Sequence, residues 1–127
     1  MRRGLPVAIV FVSLCACNST DFRTDIEDRV TIAHGVYGQT LSVPADKGAG
    51  TLYWSGLYVY VLPDATDDEP YYAVRSGTEG LYQMSLDEGT YTLCTEQGDC
   101  TAIAIAPDAR LRVDYWGGAG MGWKTPP

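Results

Sequence analysis

The stretch Ser76–Leu93, SGTEGLYQMSLDEGTYTL, decides the fold of this chain. From Tyr82 to Leu86 every second residue is apolar, which is the period of a strand with one buried face. The alternation restarts after Gly89, where a glycine can take the positive φ that tight turns need. Tyr91 then opens a second strand, and we expect its ring to be buried and its hydroxyl to bond backbone.

This stretch resembles the hairpin of carboxypeptidase regulatory-like domains, which are transthyretin-like or prealbumin-like sandwiches. The stretch has the same order of features as that hairpin: a polar glycine turn, an aromatic alternating strand, a Gly-Thr-Tyr turn and a second strand. His34–Gly38 and Leu57–Leu62 stand where that family has its first two strands, so the resemblance covers about residues 30–115. The 39–56 segment and the glycine-rich end depart from the family. The resemblance implies an accessory domain, with no zinc site and no catalytic residue.

Short runs of Val, Ile, Thr, Tyr and Trp, separated by Gly, Pro and Asp, continue through the rest of the chain. Such runs predict β-strands. The candidate strands cover residues 29–37, 52–54, 57–62, 71–75, 81–86, 90–95, 100–106 and 110–116. This spacing predicts an all-β fold, a single antiparallel β-sandwich of about seven strands, prealbumin-like or Ig-like.

The phase of the alternation assigns the two faces of each strand. The inward phase predicts a core that consists of Leu57, Val59, Val61, Tyr82, Met84, Leu86, Tyr91, Leu93, Ile103, Ile105, Leu111, Val113 and Tyr115. The outward phase predicts a solvated face that holds Gln83, Ser85, Thr92, Arg110, Arg112 and Asp114.

Residues 1–16 have the profile of an export signal, because two arginines precede a nearly continuous apolar run, Leu5–Leu14. About ten residues, at roughly 1.5 Å each, are too short to cross a bilayer core of about 30 Å. Leu14–Cys17 resembles a bacterial lipobox, which implies cleavage before Cys17. It also implies a diacylglycerol on the Cys17 sulfur and an acyl chain, such as palmitate, on its amine. The alternative is cleavage by the general signal peptidase, with Cys17 left as a free thiol.

The lipid anchor predicts the location and the domain boundaries. Two or more acyl chains hold a protein stably at a membrane. In enteric-type lipoproteins, an aspartate after the lipidated cysteine favours retention in the inner membrane. This chain has Asn18 at that position, so we expect it in the bacterial outer membrane. The domain would face the periplasm or the exterior. The polar composition predicts that residues 17–28 are the lipidated cysteine and a flexible tether, with a short helix over 21–29 as the alternative. Residues 29–127 then form the β-sandwich domain with a glycine-rich C-terminal tail.

Cys94 and Cys100 are predicted to form a disulfide bond. Cys15 leaves with the signal peptide and Cys17 takes the lipid, so these two remain in an oxidising compartment. Both fall in the outward phase and face each other across a hairpin whose loop is 95–99. The alternative, a metal or redox pair, calls for a shorter spacing or additional ligands.

Catalytic and metal-binding signals are sparse. The chain has one histidine, His34, and no nucleophile or zinc motif, so we expect a protein without enzyme activity or cofactor. A net charge of −7 without a basic patch excludes nucleic acid as a partner. An acidic loop is a weak calcium candidate that lacks the residue order of a dedicated calcium loop, so we predict no metal site. Its carboxylates are Asp64, Asp67, Asp68 and Glu69.

Aromatic residues outside the core phase predict a binding face. If Val59 and Val61 face the core, Tyr58 and Tyr60 point outward. Rings with polar tips suit contact with protein or sugar. The candidate face holds Tyr58, Tyr60, Trp54, Tyr71, Tyr72 and Trp116. The alternatives are that the 39–56 segment covers this face, or that it belongs to a second core layer.

These features together predict a non-enzymatic, lipid-anchored envelope protein that acts as a binding or assembly module for protein or glycan. Its contact with the membrane is through the lipid anchor. The alternatives are a purely structural envelope lipoprotein and an inhibitor of an extracellular hydrolase.

Overall fold

A computed structural model describes residues 23–43, 52–63, 72–118 and 122–125. Across these ranges the chain forms ten β-strands, two short 3-10 turns at Glu27–Arg29 and Thr78–Gly80, and no α-helix. The strands are β1 (Gly35–Val43), β2 (Leu52–Tyr53), β3 (Tyr58–Leu62), β4 (Tyr72–Arg75), β5 (Leu81–Ser85), β6 (Gly89–Thr95), β7 (Cys100–Ile105), β8 (Arg110–Arg112), β9 (Asp114–Gly118) and β10 (Trp123–Lys124). The predicted signal peptide, the predicted lipidation site Cys17 and the acidic loop lie outside the described residues.

The strands form two sheets that pack face to face. In sheet I, the long β1 pairs along its first half with β5 and β8 and along its second half with β2 and β9, and β10 adds to β9. Sheet II has the order β4-β3-β6-β7 and is antiparallel throughout. The predicted all-β sandwich is therefore confirmed.

Two details of the predicted architecture are different. The described residues contain ten strands instead of about seven, or nine if β8 and β9, which flank the single residue Val113, are counted as one. The sandwich is also not purely antiparallel, because β1 runs parallel to both β8 and β9. Short strands that share one long partner explain the higher number.

The stretch that decides the fold is an arch between the sheets, and the predicted hairpin is wrong. Strand β5 belongs to sheet I and β6 to sheet II, so the chain crosses the sandwich between them. Leu86 is buried in the crossing, and Gly89 takes a φ of 145°. The Tyr91 hydroxyl donates a hydrogen bond to the Asp87 carbonyl at 2.9 Å, so the expected bond of this tyrosine to backbone is confirmed.

The first strand begins and ends later than predicted, at Gly35–Val43 instead of 29–37. Gly38 lies in its middle, where a Cβ atom would collide with the carbonyl of Val113 and the ring of Tyr82. The glycine therefore allows close packing inside a continuous strand, and it is not a strand end.

The core lies between the two sheets, and the predicted set of inward residues accounts for most of it. Of that set, Tyr91 and Leu111 are half-buried and pack against the core, while the others are buried. Val36 from β1 joins them, and Trp123 packs against them from β10. Trp123 thus folds back from the glycine-rich end, with its ring centroid 4.9 Å from that of Tyr115.

The outer face of sheet I is covered in part, although the outward phase predicted a solvated surface; Ser85 and Arg110 are exposed as predicted. Residues 23–33, which we call the N-terminal segment, lie on this face, and Ile26 and Val30 form a second small cluster with Tyr37. Asp114 and Gln39 have no exposed surface. The prediction of a flexible tether is therefore wrong for residues 23–28, because apolar and charged side chains of this stretch pack on the sheet.

A buried charge cluster fastens the N-terminal segment. Asp114 accepts hydrogen bonds from the Gln39 backbone N–H at 2.8 Å, from Arg112 Nε at 3.1 Å and from Arg23 Nη1 at 3.1 Å. The Arg23 and Arg112 side chains are 6% and 10% exposed. The Gln39 side chain bonds Thr24, so the cluster joins β1, β8 and β9 to the segment.

Candidate functional site

Tyr58 and Tyr60 lie side by side on the outer face of sheet II. Strand β3 alternates between half-buried and buried residues, with Val59 and Val61 in the core. The two tyrosine rings are therefore on the opposite side, with centroids 5.6 Å apart and planes tilted by 37°. We call this pair the tyrosine face.

Arg75 and Glu96 hold the tyrosine face in place. The Arg75 guanidinium lies 5.2 Å from the centroid of the Tyr58 ring, and its Nη1 is 3.7 Å from Glu96 Oε1. Glu96 also accepts the Tyr58 backbone N–H at 2.8 Å and donates its own N–H to the Tyr58 carbonyl at 3.0 Å. Because Arg75 and Glu96 are well exposed, the ion pair contributes about 1 kcal/mol or less and mainly orients the ring.

The disulfide lies beside the tyrosine face. Cys94 and Cys100 are bonded and stand opposite each other in the β6–β7 ladder, as predicted. Cys94 pairs with Tyr60 across β3 and β6, so the bond is on the outer face. It therefore makes the surface next to Tyr60 stiff, and the sulfur atoms are not available for a metal.

The other predicted members of the aromatic face lie elsewhere. Trp116 belongs to β9 in sheet I, is 6% exposed, and has the cations of Arg23 and Lys124 over its ring at 5.7 and 5.5 Å. Its indole N–H is buried and has no hydrogen-bond partner among the described residues. The Trp54 ring packs over Gly117 of the same sheet. These two tryptophans are therefore not part of the tyrosine face.

Tyr72 is exposed but does not share the surface of Tyr58 and Tyr60. It pairs with Val61, which points into the core, so its side chain leaves β4 on the inner side. Its exposed fraction of 40% results from its position at the end of an edge strand. Tyr71 lies outside the described residues. Among the described members of the predicted face, only Tyr58 and Tyr60 share one surface.

Arg75 and Glu96 were not predicted as members of the site. Their contact with Tyr58 depends on the register between β3 and β4 and on the position of the β6–β7 turn. Neither is visible in a single sequence. The alternation in β3, in contrast, was sufficient to place both tyrosines outside.

The described residues contain neither a metal-binding cluster nor a membrane-spanning helix. No group of three or more His, Cys, Asp or Glu side chains is close enough there to hold a metal ion. Nor does any helix in the same ranges have the length and apolar character to cross a membrane. The weak calcium candidates Asp64, Asp67, Asp68 and Glu69 are outside these ranges.

Compared with known proteins, the chain matches no family model and no curated protein. Proposals about function therefore depend on the geometry and on the N-terminal sequence pattern.

Proposed function

We propose that this chain is a non-enzymatic, lipid-anchored protein of the bacterial outer membrane that binds a protein partner through Tyr58 and Tyr60. The observation that carries the proposal is a pair of adjacent tyrosines on the outer face of sheet II, with Arg75 and Glu96 around them and a disulfide beside them. Tyrosine and arginine are enriched among the residues that dominate protein interfaces. The resemblance of Leu14–Cys17 to a lipobox supports the anchor.

The position of the anchor supports the orientation of the domain. Arg23 is bound to Asp114 on the outer face of sheet I, and Cys17 lies six residues earlier in the chain. Because a chain spans at most about 3.5 Å per residue, the six residues between a lipid on Cys17 and Arg23 would reach no further than roughly 20 Å. Tyr58 and Tyr60 are on the opposite side of the sandwich. An anchored domain would therefore turn sheet I toward the membrane and the tyrosine face away from it.

A protein partner fits the tyrosine face better than a glycan does. Sugar rings stack on flat, open aromatic surfaces, whereas the Arg75 guanidinium lies over the Tyr58 ring and the two tyrosine planes are tilted. Arg75 and Glu96 instead offer charged hydrogen-bonding groups around the rings. This mixture is typical of a protein contact.

The test is capture from envelope extracts with the full chain. The double variant Tyr58→Ser with Tyr60→Ser should remain folded and lose a partner that the wild-type chain retains. The matched control is Tyr53→Ser with Tyr72→Ser, since these two tyrosines are 42% and 40% exposed and lie off the face. Equal capture by both double variants would reject the tyrosine face as the binding site. If soluble glycan competes with the captured partner, the ligand of the face is a glycan and not a protein.

The anchor has its own test. Metabolic labelling with an alkyne fatty acid should mark the wild-type chain and leave Cys17→Ser unlabelled. The labelled protein should fractionate with the outer membrane. Equal labelling of both chains would show that the lipid is not on Cys17.

A further inference from the structure

The N-terminal segment is attached to sheet I by side chains and not by strand pairing. Within the part of the chain that the structure describes, the backbone–backbone hydrogen bonds of residues 23–33 all run inside the segment, between residues 26 and 30. None of these residues belongs to a strand of either sheet. The segment can therefore leave the sandwich without breaking a backbone bond of a sheet.

Two glutamines of sheet I hold the two ends of the segment. Gln39 Oε1 accepts the Thr24 N–H at 2.8 Å, and Gln39 Nε2 donates to Thr24 Oγ1 at 3.0 Å. At the other end, Gln83 Oε1 accepts the N–H groups of Thr31 and Ile32 at 2.8 and 3.2 Å. Both glutamines can turn away from the segment while the backbones of β1 and β5 stay paired.

Two arginines of β8 bind the segment in the same manner. Arg112 Nη2 donates to the Thr24 carbonyl at 2.9 Å. Arg110 Nη1 donates to the Val30 carbonyl at 3.3 Å, and its Nη2 binds the Glu27 carboxylate at 2.9 Å. The Arg110 and Glu27 side chains are partly exposed, so water competes for this ion pair.

The apolar contacts of the segment form a cluster that is separate from the main core. Ile26 and Val30 are buried against Tyr37, on the outer side of sheet I. The main core lies between the sheets and contains none of these three residues. Burial of Ile26 and Val30 favours the docked state. Release exposes this small cluster alone, so it costs less than unfolding of the sandwich.

We propose that the N-terminal segment acts as a releasable strap that sets how far the sandwich stands from the membrane, which rests on the lipid anchor proposed at Cys17. With the segment docked, six residues join Cys17 to Arg23; with the segment released, eighteen residues join Cys17 to Gly35. The root-mean-square span of a flexible chain of those lengths is about 13 Å and about 23 Å. The greatest reach increases from roughly 20 Å to roughly 60 Å. Release therefore lets the tyrosine face meet a partner further from the membrane.

Native-state amide exchange, followed by NMR on the full chain in detergent micelles, tests the release. The amides of Thr24, Thr31 and Ile32 should exchange about a hundredfold faster, or more, than the amide of Val113, whose bond to the Tyr37 carbonyl lies within sheet I. After correction for intrinsic exchange rates, the three amides of the segment should give one opening constant, because the segment leaves as a unit.

A variant at one end of the segment tests whether the two ends are coupled. Gln83→Ala removes the acceptor of Thr31, and it should speed exchange of Thr24, at the other end, about tenfold or more. Exchange of Val113 should not change. The matched control is Gln97→Ala, the same change at an exposed glutamine in the β6–β7 turn, and it should leave all these rates unchanged.

Neutron reflectometry of the lipidated chain on a supported bilayer tests the reach. Ile26→Asp places a charge at a site with no exposed surface and should release the segment without touching the main core. The amides of Thr24 and Thr31 should then lose their protection while Val113 retains its own. The sandwich should move outward by about 10 Å relative to the wild-type chain and to Gln97→Ala.

Three results would overturn the proposal. Exchange of the segment amides at the rate of Val113 in the wild-type chain would show that the segment leaves only when the sandwich unfolds, whether or not the variants fold. An effect of Gln83→Ala confined to Thr31 and Ile32 would show fraying of one end. An unchanged distance to the bilayer for lipidated Ile26→Asp with an unprotected segment would show that release does not set the reach.

Failure of the anchor is a distinguishable outcome. Absence of lipid on Cys17 would reject the anchor and, with it, the control of reach. The exchange rates need no lipid, so they would still show whether the N-terminal segment releases from the sandwich as a unit.

Discussion

Substituting Asp114 by asparagine should strongly destabilise this domain while keeping the shape of the side chain. Asp114 is fully buried and accepts hydrogen bonds from Arg23, Arg112 and the Gln39 backbone. The asparagine retains a carbonyl acceptor, but it leaves two guanidinium groups without their counter-charge. Removing one partner of a buried ion pair typically costs about 3 to 5 kcal/mol.

The structure places the expected loss near the lower end of that range. The Arg23 and Arg112 side chains retain 6% and 10% exposure, so local movement of the N-terminal segment can rehydrate them in part. We therefore expect a loss of about 3 kcal/mol, which is a large fraction of the roughly 5 to 15 kcal/mol that stabilises a domain. The midpoint of thermal unfolding should fall by at least about 10 °C.

Urea unfolding followed by circular dichroism measures this loss. The control is Asp108→Asn, which makes the same chemical change at an exposed residue with a φ of 55°, a conformation that asparagine tolerates. It should change the unfolding free energy by less than about 0.5 kcal/mol. Equal unfolding midpoints for the two variants would refute the reasoning that the buried charges hold the N-terminal segment.

Three further perturbations test other parts of the fold. Cys94→Ala opens the small ring that the disulfide with Cys100 closes, and it should lower the free energy of unfolding by about 2 kcal/mol on the chain-entropy account. Two free thiols in the oxidised wild-type protein would disprove the bond. Tyr91→Phe should cost about 1 kcal/mol by removing the bond to Asp87; unchanged stability would show that the hydroxyl does not hold the arch. Burial, assisted by the hydrogen bond to the Glu27 carboxylate, raises the pKa of Tyr37 to about 12. The unfolded chain ionises its tyrosines near pH 10, so the contribution of Tyr37 to stability should be constant below pH 10 and be lost between pH 10 and 12. A phenolate absorbance titration measures the ionisation itself, and ionisation of every tyrosine near pH 10 in the folded protein would contradict the raised pKa.

Local alternation predicted much of the fold. In β3 it placed Tyr58 outside and Val59 inside, and it identified most of the core correctly. It also placed Cys94 and Cys100 opposite each other. These assignments succeed because the two faces of a strand depend on the chain itself and not on the order of strands.

Long-range packing explains the errors. Gly38 resembles a strand end, but its missing side chain makes room for the Val113 carbonyl across the sheet. Asp114 has the phase of a solvated residue, yet the N-terminal segment covers it with Arg23. Both facts depend on segments that are distant in the sequence, so the pattern around each residue does not contain them.

The prediction of which aromatic residues form the binding face was wrong in part for the same reason. Trp116 and Tyr60 are both outward in their own strands, but their strands belong to different sheets. Outward residues of two sheets lie on opposite sides of a sandwich. The aromatic residues could therefore be assigned to one surface only after the strand order was known.

The most direct test of the proposed function is photocrosslinking in intact cells. A benzophenone amino acid would replace Tyr60 on the tyrosine face or Tyr53, which is exposed on sheet I. We expect irradiation to join the chain to one envelope protein from position 60 and not from position 53. Crosslinking of the same protein from both positions, or of none from position 60, would contradict a partner site at Tyr58 and Tyr60.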